Sequence, residues 1–476
     1  MNRLINILSL LKITRILKFL LRILADRGIV WPFVFIYSKV LKDVVPEDGT
    51  VPGGCPTILA INPGRFFGEL ESLANSKKLR VLKIPFDWQV RLLAIYWPTT
   101  IDWDWKRYFN PDGNTDKDII ELQRDLRAFL RKFLSSLYKR MGIDCVIGAT
   151  FYYAQDYDWG LVSNEIGSTF IVVQTDRVFG SANKSYVMNR LVKPLEKFKG
   201  NHIITLDKDT AEILIQEGYV TSDRISSLGA TRMDDFVKRV KQLRKSNDRQ
   251  QTKNGRKKVT LFSFLPCVGL RARFKLKTFP DTPGVGYQKL FENVHVAIAK
   301  LAANNRDIDF VVKTKWGGIW FEGIERVCRE NGIDISKIPN LTITGTANVH
   351  KLIFDSDVIC AFSSMTLLEA GIASKPVVIP LFDEASRPEY QESMAFFDCY
   401  RLFDCAENVT EFEKLILDRL DNPGSKTRGK YLIEKETMFE KHVSSMEGNS
   451  LEKYVTLINQ LINKSKERKS LMTTAL

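Results

Sequence analysis

The residue types best suited to chemistry are concentrated in one stretch, Asp357-Val358-Ile359-Cys360-Ala361-Phe362-Ser363-Ser364-Met365-Thr366-Leu367-Leu368-Glu369-Ala370-Gly371, followed by Lys375-Pro376-Val377-Val378-Ile379-Pro380. A short apolar run enters a hydroxyl-rich turn and then a helical pattern. That order sets backbone N–H groups and the hydroxyls of Ser363, Ser364 and Thr366 at the positive end of a helix dipole, a setting that binds phosphate. Glu369 follows Thr366 by about one helical turn, where a carboxylate can accept hydrogen bonds from ribose hydroxyls. The same spacing equally suits a capping box between Thr366 and Glu369.

The remaining candidates are single side chains. Arg65 ends the breaker Asn62-Pro63-Gly64-Arg65 and can meet a donor phosphate or an acceptor, or simply be a solvated turn arginine. Arg271 and Arg273 come a short loop after the apolar run Val259–Phe264 and are donor-binding candidates for the same reason. Lys315 with Trp316-Gly317-Gly318 is a cationic corner, although paired glycines also make plain turns. Removing a proton from an acceptor hydroxyl needs a carboxylate or a histidine. Asp176, just past the run Phe170–Gln174, is the first choice, with Asp87 and Asp156 behind it. Asp102-Trp103-Asp104 spells the DxD of metal-dependent transferases, but that motif belongs to another fold and such triplets arise often by chance.

These residues must be held by elements, and the pattern of elements is alternating. Thr57–Ile61, Arg80–Ile84, Cys145–Gly148, Phe170–Gln174 and Ile203–Leu206 read as short buried strands, with helices over Glu69–Ser76, Asp116–Arg140 and Asp207–Gly218. The second half repeats the plan. Strands are expected at Val259–Phe264, Ile308–Lys313, Leu341–Thr344, Val358–Ala361 and Pro376–Pro380, with helices over Gly286–Ala303, Phe321–Asn331, Val349–Asp355 and Thr366–Ala373. Alternation of this kind means parallel α/β sheets, whose ligands sit beyond the carboxyl ends of the strands. The expected division is an amphipathic segment at 1–45, a Rossmann-like acceptor domain at 46–237, a basic linker at 238–258, a Rossmann-like donor domain at 259–425, and a helical segment with a basic tail at 426–476.

The 357–380 stretch resembles the donor-binding segment of GT-B glycosyltransferases, particularly bacterial capsule and surface-polysaccharide enzymes and the related teichoic-acid glycerophosphotransferases. Leu228-Gly229-Ala230-Thr231-Arg232-Met233-Asp234 is similar to the glycine-x-proline-arginine-x-aspartate segment that closes the first domain of that family, with Ala-Thr where a small residue and proline are common. Phe310-Val311-Val312-Lys313 resembles the family's strand ending in a basic residue, although Thr314 and Lys315 stand where a histidine often follows. The likeness covers residues 200 to 410 well and the first 200 in outline. It implies two Rossmann-like domains facing a central cleft. It also implies that Ser363, Ser364 and Thr366 face a donor pyrophosphate, Glu369 the ribose, Lys313 the negative charge developing on the leaving group, and Leu341–Thr344 the base. Fixed donors of this kind lower the barrier to departure of a nucleoside diphosphate, so neither a divalent metal nor a cofactor beyond the nucleotide-activated sugar is required.

Composition fits that reading. The 476 residues suit two domains, and 70 Lys and Arg against 56 Asp and Glu give a balance of +14 that favours anionic partners. Between Lys238 and Lys258, ten basic residues stand against one acid, Asp248. The seven cysteines include no CxxC pair and the four histidines no pair at ligand spacing, which argues against a disulfide framework and a structural metal and for a cytoplasmic location. Residues 1–24 are apolar but interrupted by Arg3, Lys12, Arg15, Lys18 and Arg22, so the segment is expected to lie in the plane of the membrane's inner face rather than span it. Trp31, Phe33, Phe35 and Tyr37 extend this anionic-membrane contact to residue 37; packing of the helix on the protein itself is the alternative.

The leading function is therefore transfer of a sugar from a nucleotide-sugar donor to a surface-polysaccharide or lipid-linked glycan acceptor. A polyol-phosphate transferase with a CDP-linked donor is the alternative, disfavoured by the scarcity of histidine, and a nucleotide-sugar epimerase would have little use for a membrane helix. A nucleic-acid or lipid-binding protein is the non-enzymatic alternative. Nucleic acid is not expected as a partner, because the basic run carries no interleaved aromatics.

Overall fold

Short apolar runs bounded by Gly, Pro and Asn are long enough to cross a sheet once, and burial on both faces explains why they show no polar alternation. A computed structural model describes residues 15–97, 108, 116–175, 197–246, 255–270, 277–282, 284–391 and 393–474. The described residues form two α/β units, the first from residues up to 175, from 197 to 234 and from 449 onward, the second from 235 to 448.

In the first unit the strands are β1 (Lys42–Asp43), β2 (Thr57–Ala60), β3 (Arg80–Lys83), β4 (Ile143–Gly148), β5 (Thr169–Val173), β6 (His202–Thr205) and β7 (Ile225–Ser227). They lie in the order β1-β3-β2-β4-β5-β6-β7, parallel except for β1 against β3. The chain runs from β2 outward to β3 and then returns to the other side of β2, so the carboxyl ends of β2 and β4 mark the switch point where α/β sheets bind ligands.

The second unit contains β8 (Lys258–Phe262), β9 (Asp309–Lys313), β10 (Leu341–Thr344), β11 (Val358–Ala361), β12 (Val377–Pro380) and β13 (Asp404–Ala406), all parallel in the order β10-β9-β8-β11-β12-β13. Its switch point lies at the carboxyl ends of β8 and β11. Both strand orders are Rossmann-like.

Three segments differ from the sequence expectation. The run expected as a basic linker is helical over its first half, where Asp234–Ser246 is a helix that buries Phe236, Val237 and Val240. Phe236 packs at a tilt against His350 and Phe354, with ring centroids 4.5 and 4.9 Å away, and Arg244 pairs with Glu436. The surrounding lysines and arginines had masked this apolar spacing. Farther along, Arg256 pairs with Asp309 and Lys257 with Asp421.

The expected basic tail is instead the continuation of a helix, Ser450–Thr474, whose Tyr454, Val455, Ile458 and Ile462 join the core made by Ile58, Val81, Cys145, Ile171 and Ile204 of the first unit. Asp234 accepts from the amides of Ser450 and Leu451, at 3.1 and 2.7 Å, and so caps this helix. The Lys-rich end is held too, through Lys466 to Asp144 at 2.7 Å and Ser465 to Thr169 at 3.1 Å.

The amino-terminal segment forms the helices Arg15–Asp26 and Trp31–Val40. Phe33 and Tyr37 pack edge-on against the rings of Phe129 and Phe133, each at 5.2 Å. Two cations of the first helix turn toward the protein: Lys18 donates to the Trp97 carbonyl at 2.7 Å and Arg22 pairs with Asp125 at 2.9 Å. Large apolar side chains face outward, with Phe19 65% and Trp31 72% exposed beside Leu20 and Phe35, along with the charged Asp26, Arg27 and Lys39. Among the described residues no helix is long and apolar enough to cross a membrane.

Candidate functional site

At the second switch point β11 delivers its chain into the turn Phe362-Ser363-Ser364-Met365. Ser363 adopts φ 49°, a left-handed conformation that costs a residue with a Cβ about 1 kcal/mol or more. Surrounding contacts hold it there: the Ser363 amide donates to the Tyr400 hydroxyl at 3.1 Å, and Ser363 Oγ accepts from the Ala395 amide at 2.9 Å. That acceptance leaves the serine proton for an outside acceptor. Ser364 Oγ accepts from both the amide and the hydroxyl of Thr366, at 3.3 and 2.9 Å, which ties the turn to the first residue of the helix Thr366–Ile372. Glu369, buried, brings Oε2 to 3.9 Å from His350 Nε2 on the helix Val349–Asp355.

Lys313 lies at the carboxyl end of β9, two strands from β11 at the same edge. Its ammonium is buried and donates to the carbonyls of Thr314 and Gly345, and that burial holds its pKa below the usual lysine range. Between Lys313 and the serine turn, Ser263 follows β8. His295 Nδ1 lies 2.6 Å from the Phe291 carbonyl and must carry the proton there, since a carbonyl only accepts. Burial pushes the His295 pKa down to about 4, so the ring is neutral and Nε2 accepts from Ser263 Oγ at 2.8 Å, while Ser263 in turn accepts from Trp320 Nε1 at 2.8 Å. This chain of bonds fixes the rim between the two candidate groups.

At the first switch point Asn62, with φ 51°, follows β2 and donates its amide to Gln89 Oε1 at 2.7 Å. Gln89 Nε2 then donates to Asp156 Oδ1 at 2.8 Å, and Asn62 Nδ2 approaches Asp156 Oδ2 at 3.4 Å. Burial raises the Asp156 carboxyl to about 7, opposed by these two amides and by the charge of Arg65. Arg65 lies 5.0 Å over the Tyr153 ring, and its carbonyl accepts from Thr175 Oγ1 at 2.9 Å. Tyr153, Asp156 and Tyr157 line one small cavity with Thr150 and Phe151.

The structure thus places Ser363 and Ser364 in one turn with Thr366 and Glu369 on the helix that follows it, puts Lys313 at the same sheet edge, and sets Arg65 beside Asp156 in the other unit. Asp176, Arg271 and Arg273 lie outside the described residues, as does the Asp102–Asp104 triplet. The segment 228–234 works inside the first unit. Arg232 pairs with fully buried Glu69, whose other oxygen accepts from the Phe67 amide at 2.6 Å, and Asp234 is the helix cap described above.

His350, Asn62 and Gln89 were missed by sequence reading. Asn62 follows a strand end, a positional signal that would have found it, and His350 opens the helix after β10; nothing local marks Gln89. Among the described residues no metal-type cluster gathers at either switch point.

No family model matches the sequence, and no curated protein matches it. Among solved structures the chain is similar to UDP-GlcNAc 2-epimerase from Neisseria meningitidis bound to UDP-GlcNAc, at 13% identity over 85% of this chain and 100% of that one, with a TM-score of 0.45. It is similar to a glycosyltransferase from Rickettsia africae at 11% identity, covering 86% and 99%, with a TM-score of 0.45. A variant of the wall teichoic acid polymerase TagF gives 10% identity, 96% and 99% coverage, and a TM-score of 0.45. These are likenesses of fold; the assignment of two Rossmann-like units rests on the strand orders above.

Proposed function

We propose that this chain transfers a sugar from a nucleotide donor bound by the second unit to a glycan or lipid-linked acceptor bound by the first. The observation that carries the reading is the turn at β11. A strained serine, held from behind by Ala395 and Tyr400, presents its hydroxyl at a switch point while a buried glutamate stands six residues farther on. Hydroxyl donors suit a diphosphate and a carboxylate suits a ribose diol. Developing charge on the departing nucleoside diphosphate then meets fixed donors, with Lys313 as the cation at the same edge.

The acceptor hydroxyl must lose a proton, and among the described residues of the first unit Asp156 is the side chain best prepared to take it. A carboxyl titrating near 7 is ionised in a useful fraction at neutral pH yet basic enough to accept. Its amide partners fix the orientation of the carboxylate, and Arg65 supplies the nearby positive charge. The outward Phe19, Leu20, Trp31 and Phe35 suit insertion at a membrane surface, where lipid-linked acceptors reside.

Thermal unfolding with UDP, GDP, CDP, CMP and ADP, each with and without magnesium, tests the donor site. A nucleotide at about 100 times its dissociation constant adds roughly 2.7 kcal/mol to stability. Stabilisation by one nucleotide that Glu369→Ala loses supports the reading; stabilisation by CDP or CMP alone redirects it to polyol-phosphate transfer. No stabilisation by any nucleotide overturns it.

A further inference from the structure

Away from both switch points, Asp398, Cys399 and His442 of the second unit each offer one ligand atom, and the three atoms lie within 4.8 Å of one another. Two distant pieces of chain bring them together. Asp398 and Cys399 stand in the short turn Phe397–Leu402, while His442 ends the helix Lys430–His442. Cys399 and His442 are fully buried, whereas Asp398 is exposed. The Phe396 ring, buried and 5.7 Å from the imidazole, closes one side, and Cys399 Sγ lies 3.7 Å from Asp398 Oδ1.

We infer that these three side chains form a zinc site, with water as the fourth ligand. A thiolate, an imidazole and a carboxylate together select a borderline-soft ion; magnesium and calcium prefer oxygen alone. Ligand atoms bonded at about 2.0–2.3 Å around a tetrahedral ion sit roughly 3.3–3.8 Å apart, so closure asks for a shift of about 1 Å. The 3.7 Å between Cys399 Sγ and Asp398 Oδ1 already falls in that range, so the shift concerns the approach of the His442 imidazole to those two atoms. Binding releases the Cys399 thiol proton to solvent as the sulfur–metal bond forms.

The position gives such an ion a consequence. The segment it ties down carries the two groups that hold the strained Ser363 turn, the Ala395 amide and the Tyr400 hydroxyl. A metal bridging this segment to the helix Lys430–His442 fixes the support of that turn from behind, outside the turn itself.

The test uses the full chain freed of metal by chelation and titrated with Co2+, and it does not depend on any nucleotide. One equivalent of cobalt should bind with a thiolate-to-metal charge-transfer absorption that Zn2+ then abolishes. Cys399→Ser should remove the band, and Asp398→Asn, at an exposed position that leaves folding intact, should weaken cobalt binding by roughly tenfold or more. Amide exchange across 395–403 should slow on adding Zn2+ in the unaltered chain and stay unchanged in Cys399→Ser. Absence of the band, its survival in Cys399→Ser, or equal affinity in Asp398→Asn would overturn the proposal.

Discussion

At the scale of single residues, burial disfavours the charged form of one group at each switch point, with opposite consequences for stability against pH. Asp156 is raised from 3.8 to about 7, so the folded state holds its proton more tightly than the unfolded chain does. Its favourable contribution is complete below about 3.8 and is lost as pH rises through 7, a change on the order of 4 kcal/mol. Asp156→Asn should therefore be more stable than the unaltered chain above pH 7 in urea unfolding, while transfer falls about 10²- to 10⁴-fold. The rising limb of kcat/KM against pH should also centre near 7, and a limb that persists in the variant assigns the base elsewhere. His295 behaves conversely. Held near 4 against 6.5, it costs the fold stability as pH falls from 6.5 to 4, by about 3 kcal/mol, measurable in the same unfolding series. Ser363 offers a conformational test. Both Ser363→Gly and Ser363→Ala lose the bond to Ala395, but only glycine relieves φ 49°, so the glycine variant should be more stable by about 1 kcal/mol.

At the scale of elements, the helix Ser450–Thr474 contributes most from the least obvious sequence. Tyr454, Val455, Ile458 and Ile462 are buried, and at about 1.5–3 kcal/mol for each such side chain their loss rivals the whole stability of a domain. Truncation before Ser450 should abolish cooperative unfolding of the first unit, whereas Ile458→Ala should cost about 2–5 kcal/mol, both followed by circular dichroism during denaturation. The sequence pattern did not announce this helix as a core element. Its buried apolar positions are spaced by Thr456, Asn459 and Gln460 and followed by a run of cations from Lys464 on, of which Lys466 pairs with Asp144, and only the opposing sheet face distinguishes a docked helix from a basic tail. The helix Asp234–Ser246 was hidden in the same way, by cations surrounding a narrow apolar stripe.

For the whole molecule the balance of +14 favours anionic partners, yet the first described helix uses two of its cations on its own protein. Membrane contact through Phe19, Leu20, Trp31 and Phe35 would then be chiefly apolar. Flotation with anionic vesicles should lose binding when Phe19 and Trp31 are replaced together by serine, and raising salt should weaken it less than release of an exposed cationic face would. Vesicle binding that is unchanged in the double variant removes this role from the segment.

How much was legible follows from where the forces act. Strand, turn and helix at Val358–Ile372, and most of both sheets, were readable because apolar runs and Gly, Pro or Ser breakers act within a few residues. The serine turn was therefore located from sequence. The partners of its glutamate, the amides around Asp156 and the meeting of Cys399 with His442 were not, because each joins residues from separate elements, Asn62 to Asp156 lying 94 positions apart. Desolvation and charge coupling depend on distance in space, and only the folded chain sets those distances.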